Sequence, residues 1–152
     1  MLRSRSPEHT RRLGESLGRA AQAGDVFLLD GPFGAGKTVL VQGLAAGLAV
    51  QDYVSSPSFI MVNEHQGRLP LYHVDLYRFD DKLDPEMLET LEETLGGRGV
   101  CAVEWPALLP RSLRAGATEL LFISRGESSR DIEIESPAQH LAAAASEAGA
   151  IC

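Results

Sequence analysis

Gly31-Pro32-Phe33-Gly34-Ala35-Gly36-Lys37-Thr38 fits G-x-x-x-x-G-K-[ST], the pattern of a phosphate-binding loop. Its flanks fit as well. Val26-Phe27-Leu28-Leu29-Asp30 before it is a short apolar run of buried-strand type. After it, Leu40, Leu44 and Leu48 recur at i, i+4 and i+8, with Val41 and Ala45 beside them, as one face of a helix. Strand, glycine loop and helix is the order that phosphate chemistry needs, because N–H groups of the loop and of the helix N-terminus converge on one spot and bind anionic oxygens. Gly31, Gly34 and Gly36 allow the backbone angles and the close approach. On this reading Lys37 reaches the β- and γ-phosphates of a nucleotide and the Thr38 hydroxyl ligates Mg²⁺. A glycine turn without a ligand is the plain alternative; the lysine, the threonine and both flanks together speak against it.

The whole chain, 152 residues with 44% hydrophobic and 23% charged, has the size and composition of one globular domain. We expect that domain to span 1–152, with a core over about 6–136 and an alanine-rich stretch, 137–152, as a final helix or tail. The net charge of −7 argues against a chain that grips nucleic acid by itself, since phosphate neutralisation needs Lys and Arg. Cys101 and Cys152 read as free thiols of a reducing compartment, and His9, His65, His73 and His140 are too scattered for a zinc site. No apolar stretch follows the basic start, Met1 to Ser6, and no run approaches the ~20 residues of a membrane span, so a cytoplasmic location is expected.

Ser6-Pro7 opens a helix with serine as cap and proline in the first turn; Leu13, Leu17, Ala20 and Ala21 give it an apolar face and Gly24 ends it. Gly14 and Gly18 weaken this helix but, four apart, suit a close approach by another element. Beyond the glycine loop and its helix, Ser55-Ser56-Pro57-Ser58 is a loop by composition. Phe59–Glu64 and Leu69–Tyr77 read as a hairpin around a polar turn with Gly67. A helix from Asp84-Pro85 carries Met87, Leu88, Leu91 and Leu95 and stops at Gly96-Gly97. Val100–Val103 is a short buried strand, and Leu120–Ile123 with Asp131–Glu135 forms a second hairpin. The sum is an α/β fold: a phosphate-loop domain with a mixed central sheet, antiparallel hairpins and flanking helices.

A phosphate loop needs an acid across from it to position Mg²⁺, usually at the end of an apolar strand. Glu104, after Val100–Val103, and Asp75, after Leu71–Val74, both qualify; the first run is cleaner, and Trp105-Pro106 ends it abruptly at the carboxyl edge where ligands bind in such sheets. Either acid could equally be a surface or hairpin carboxylate. Ser56-Pro57-Ser58 offers hydroxyls in a rigid turn, either as turn chemistry or as a sensor of the γ-phosphate. By pattern alone Tyr72, Tyr77 and Trp105 are core or rim aromatics, Arg78 is a surface or ion-pair arginine, and His73 is packed or hydrogen-bonded rather than a base.

Gly34-Ala35-Gly36-Lys37-Thr38, Ser56-Pro57-Ser58-Phe59, Leu71-Tyr72-His73-Val74-Asp75-Leu76-Tyr77-Arg78 and Val103-Glu104-Trp105-Pro106 occur in this order and at these intervals. In these strings, from about Thr10 to Ile134, the chain resembles the TsaE (YjeE) family, small bacterial ATPases of tRNA threonylcarbamoyladenosine synthesis. The resemblance implies a site that takes ATP and Mg²⁺. It makes Lys37 the phosphate-binding lysine, Thr38 and Glu104 the Mg²⁺ ligands, and Asp75 an active-site acid near the γ-phosphate and its attacking water. The implied nucleotide-binding set is Thr10, near the adenine, with Phe33, Gly34, Ala35, Gly36, Lys37, Thr38, Val39, Ser58 and Asp75. Ser58 stands where the family usually has threonine, and Trp105 supports the pocket or a partner surface. Pro32-Phe33, Val39, Val74 and Ala107 depart from common family residues without removing a phosphate or metal ligand. The resemblance further implies action with TsaB and TsaD, which would hold most of the tRNA, and slow hydrolysis by the chain alone. Two other functions stay open on the residues: a small-molecule kinase, though Arg111, Arg114, Arg125 and Arg130 form no evident lid, and a nucleotide-gated binding module with negligible catalysis.

Overall fold

Local signals start two of the helices. The Ser6 hydroxyl accepts the His9 N–H at 3.1 Å and the Asp84 carboxylate accepts that of Met87 at 2.9 Å, each with proline next in the chain. The computed structural model describes residues 2–51, 62–77, 83–127 and 129–151. In chain order its elements are β1 (Leu2–Ser4), α1 (Pro7–Ala20), β2 (Val26–Asp30), α2 (Lys37–Gly47), β3 (Val62–His65), β4 (Leu71–Asp75), α3 (Pro85–Thr94), β5 (Val100–Glu104), α4 (Arg111–Arg114), β6 (Thr118–Ser124), β7 (Arg130–Glu135) and α5 (Gln139–Ile151), with a 3-10 turn at Pro106–Leu108.

The strands form one seven-stranded sheet in the order β1-β7-β6-β2-β5-β4-β3. The centre is parallel: β2 lies between β6 and β5, and β4 follows β5. The hairpins β3–β4 and β6–β7 add antiparallel edges, as the sequence leads one to expect. Phe27 and Leu29 of β2, with Val100 and Ala102 of β5, face α1, α2 and α5. The alternate residues Leu28, Cys101 and Val103 face the other way, in a cluster with Leu91 and Leu95. Burial pushes the Cys101 thiol up to about 12, so it acts as a small apolar side chain. Among the described residues, no helix is long and apolar enough to cross a membrane.

Three features differ from the sequence reading. Helix α1 stops at Ala20 rather than running to Gly24, because Asp25 turns back to accept the Gln22 N–H at 2.8 Å and the Arg68 guanidinium caps the Gly18 and Ala21 carbonyls at 2.9 and 3.1 Å. The strand expected over Leu69–Tyr77 is confined to Leu71–Asp75. Leu2–Ser4 forms β1, antiparallel to β7, where three residues are too few to display a period. Asp131 of β7 anchors it, accepting Arg3 Nε at 2.8 Å and Arg125 Nε at 2.7 Å; these bonds hold its carboxyl below the usual carboxylate range. The alanine-rich stretch does form a helix, α5, seated through Leu141, Ala144 and Ala148 and tied by His140 Nε2 to Asp25 Oδ2 at 2.8 Å.

The Gly14–Gly18 spacing has its counterpart on α2 in Gly43 and Gly47. A Cβ placed on Gly14 would lie 2.9 Å from Gly43 Cα, and one on Gly43 would lie 3.0 Å from Gly14 Cα. The two helices therefore meet backbone to backbone. Interior glycine costs α2 about 1 kcal/mol per position in propensity. Leu40, Val41 and Leu44, all fully buried, each return about 1.5–3 kcal/mol, so packing holds this helix. Gly43→Ala must push α2 off α1. We expect a loss of about 1–3 kcal/mol of unfolding free energy by chemical denaturation, and an unchanged denaturation midpoint would show that the seam has slack.

Candidate functional site

The turn out of β2 is built by its own residues. Asp30 Oδ1 accepts the Gly31 N–H at 2.9 Å, and Gly31 takes φ +147° where a Cβ would lie 2.8 Å from the Phe122 carbonyl oxygen. Only glycine fits that angle and that gap. The loop then passes Gly34 at φ +74° and reaches Gly36 at φ +101°, the left-handed residue that precedes α2. Space beside Gly34 is open, with nothing within 4 Å of a Cβ built there, while Ala35 is buried beneath the loop. Thr38 and Val39, half-buried, occupy the first turn of α2, so the loop and the helix N-terminus face one open region as the motif requires.

Lys37 begins α2 and folds back over the loop. Its Nζ donates to the Gly31 carbonyl at 2.6 Å and lies 3.5 Å from the Trp105 ring centroid. The residue is 5% exposed. Burial lowers the affinity of its amine for a proton, and the carboxylates of Glu104, Asp30 and Asp75 oppose that shift.

The two candidate acids stand side by side. Asp75 is the in-register neighbour of Glu104 across the parallel β4–β5 pair, and Glu104 is the neighbour of Leu29 across β5–β2. By strand alternation Glu104 shares the face of Val100 and Ala102, and Asp75 that of Leu71, which is the face that α2 covers. Glu104 is 4% exposed and pairs with the fully buried His73, Nε2 to Oε2 2.5 Å. Asp75, half-buried, accepts the Tyr77 N–H at 2.9 Å. Burial raises its carboxyl above the ordinary range and the Glu104 charge adds to this, against the Tyr77 N–H, His73 and Lys37.

Phe33, Tyr77 and Trp105 form a ring cluster at the mouth, with centroids 4.7 to 5.0 Å apart. Phe33 is 67% exposed and Tyr77 49%, so the cluster is a rim, not a core. Trp105 holds φ +56°, a left-handed angle unusual for a bulky residue, which swings its ring out of the β5 direction and over Lys37.

The structure thus brings together Phe33 through Val39, Asp75 and Glu104. Thr10 is 2% exposed, with Oγ1 2.6 Å from Ser4 Oγ, and its Cγ2 would lie 3.8 Å from a Cβ on Gly36. Ser58, with the rest of Ser56-Pro57-Ser58, and Arg78 lie outside the described residues. Sequence reasoning missed one participant and the partner of another. His73 is buried and hydrogen-bonded in its strand, as expected, but its partner Glu104 is 31 positions away. Arg130, at the start of β7, donates to the Ala35 carbonyl at 2.9 Å and the Gly34 carbonyl at 2.7 Å. No local pattern announces a bond across 95 positions; an arginine closing a hairpin turn was the only signal.

Chemically, the loop amides and the buried ammonium offer a positive field to an anion, and the two carboxylates beside them offer oxygens to a divalent cation or a proton acceptor to a water. Comparison with known proteins identifies the family. The model of the family described as threonylcarbamoyl adenosine biosynthesis protein TsaE matches residues 4–134. The tRNA threonylcarbamoyladenosine biosynthesis protein TsaE of Bacillus subtilis is 37% identical over 131 residues, covering 86% of this chain and 81% of the relative. Its namesake from a Nostoc species is 40% identical over 134 residues, covering 84% and 80%. Among solved structures, the crystal structure of Bacillus subtilis YdiB superposes with a TM-score of 0.75 at 30% identity, over 98% of this chain and 93% of that one. The chain belongs to the TsaE family.

Proposed function

We propose that this chain binds ATP at the glycine loop and hydrolyses it as the ATPase component of bacterial tRNA threonylcarbamoyladenosine synthesis, acting in the cytoplasm with TsaB and TsaD. One observation carries the reading: Lys37, nearly buried at the start of α2, feels the charges of both Glu104 and Asp75, which are in-register neighbours on the sheet. Mg²⁺, when bound, would neutralise phosphate charge, and Thr38 with Glu104 would supply oxygen ligands for it. The donor set fits such an ion, since a hydroxyl and a carboxylate are hard oxygen ligands. His73 holds the Glu104 carboxylate in one orientation through their hydrogen bond. Asp75 would orient or deprotonate the attacking water, and the ammonium of Lys37 would exchange the Gly31 carbonyl for phosphate oxygens. The aromatic rim of Phe33, Tyr77 and Trp105 limits the access of bulk water to that ammonium. The acidic balance of the chain leaves the grip on tRNA to the partners.

Lys37→Ala removes the charge that faces the phosphates, and ATPase activity should fall at least ~100-fold while the circular dichroism spectrum stays that of the wild type. A folded variant with unchanged turnover would dismiss the loop as the catalytic centre.

Glu104 and Asp75 should fail differently. Glu104→Gln keeps the size needed beside buried His73 but loses the charge, so fluorescent-nucleotide titrations should show a weakened Mg²⁺ requirement and affinity. Asp75→Asn should bind nucleotide normally and lose turnover. Because burial raises the Asp75 carboxyl, wild-type turnover should begin to fall on acidification at a pH above the usual aspartate range. The opposite pattern in the two variants would exchange their roles.

The partner reading is tested by rates. The isolated chain should turn over below ~1 s⁻¹, the low end of ordinary enzymes, and adding TsaB with TsaD should raise the ATPase rate or allow repeated rounds of tRNA modification. Fast hydrolysis by the chain alone, with modification proceeding unaided through many turnovers, would refute it.

A further inference from the structure

Arg130 places every described hydrogen bond on a backbone carbonyl. Nε donates to Ala35 O at 2.9 Å and Nη2 to Gly34 O at 2.7 Å; Nη1 donates to Ser129 O at 2.9 Å and Gly126 O at 3.1 Å, and Nη2 reaches Glu127 O at 3.5 Å. A guanidinium in a chain with 21 acidic residues is thus committed to joining two pieces of main chain, the glycine loop and the β6–β7 turn. The planar trans peptide gives this a directional effect: the C=O of one residue and the N–H of the next point opposite ways. Holding the Ala35 carbonyl toward Arg130 therefore aims the Gly36 N–H away from it, at the mouth of α2 where the loop faces open space. The Gly34 peptide is fixed by the same fork, and the Ala35 N–H closes the turn on Pro32 O at 3.3 Å. Glycine at 34 and 36 makes the loop soft, and those peptides could rotate without a side chain to stop them.

We propose that Arg130 is the positioning residue of the loop: its fork holds the Gly34 and Ala35 carbonyls, so that the turn closed by the Ala35 N–H is kept and the Gly36 N–H is set for phosphate before any ligand arrives. The inference rests on the nucleotide reading above but assigns a determinant of phosphate affinity that never touches the nucleotide. A lysine cannot substitute, because one ammonium does not reproduce a planar fork that bonds two loop carbonyls and the turn together.

The test uses the full chain with Arg130→Ala and Arg130→Lys, and two probes, inorganic tripolyphosphate and MgATP, measured by calorimetry. Loss of a charge-assisted clamp should weaken both by about 10- to 100-fold in Arg130→Ala. Arg130→Lys should recover little of this, and millimolar methylguanidinium should tighten binding to Arg130→Ala but not to the wild type. Amide exchange in the ligand-free proteins supplies a reading independent of nucleotide: peptides covering 33–37 should exchange faster in both variants, with β2 and β5 unchanged. Wild-type affinity in Arg130→Ala, full recovery in Arg130→Lys, or faster exchange spread through the whole sheet would each overturn the clamp. A wild-type chain that binds neither probe would overturn the nucleotide reading instead, and the exchange data would then decide alone whether the fork orders the loop.

Discussion

Lys37 carries its charge at a place where water barely reaches, and the architecture around it answers that constraint. An ammonium that is 5% exposed loses most of its hydration, and burial accordingly weakens its hold on the proton. Compensation comes from the Gly31 carbonyl, the face of Trp105, and the carboxylates of Glu104, Asp30 and Asp75 at longer range. The carbonyl and the ring give a directed bond and a quadrupole without forming a tight ion pair. A close carboxylate would bind the ammonium more strongly and make it harder to hand over to an incoming anion.

That position exists only because α2 begins where it does. The α1–α2 seam, in which Gly14 and Gly18 face Gly43 and Gly47, fixes the depth of α2 against the sheet, and Gly31 fixes the exit from β2 against Phe122. Residues without side chains thus govern the location of the charged side chain at the centre. Arg130 adds a third anchor from β7, two strands away from β2, through the Gly34 and Ala35 carbonyls. Close packing of this kind leaves little room for continuous adjustment, so a methyl group at the seam acts on the loop itself.

The acids are governed by a different rule. In-register pairing across parallel strands puts Asp75 beside Glu104, and two neighbouring carboxylates do not share one environment. Glu104 lies deeper and has His73 as its partner; Asp75 is half-buried, holds the Tyr77 N–H, and is pushed upward by burial and by the charge next to it. Two carboxylates with different surroundings suit different tasks, one holding a cation and the other handling a proton.

The sequence by itself determined every element whose signal is local. The glycine motif between an apolar run and an i, i+4, i+8 face specified β2, the loop and α2, and the Ser6 and Asp84 caps specified where α1 and α3 begin. Both acids were visible as carboxylates ending apolar runs, and the family strings ranked them. Strand β1 was not legible, since three residues have no period and its reason for existing is Asp131 on another strand. The alanine-rich end was ambiguous because its apolar face, Leu141, Ala144 and Ala148, is weak by itself and holds only once α1 is there to pack against it. Only the tertiary structure paired His73 with Glu104, set Trp105 over Lys37 and brought Arg130 across 95 positions to the loop. Periodicity and capping are energies between neighbours in the chain and leave a trace in composition and spacing. A hydrogen bond between distant carbonyl and guanidinium groups leaves none, because any of the chain's arginines could have made it until the sheet order placed one of them there.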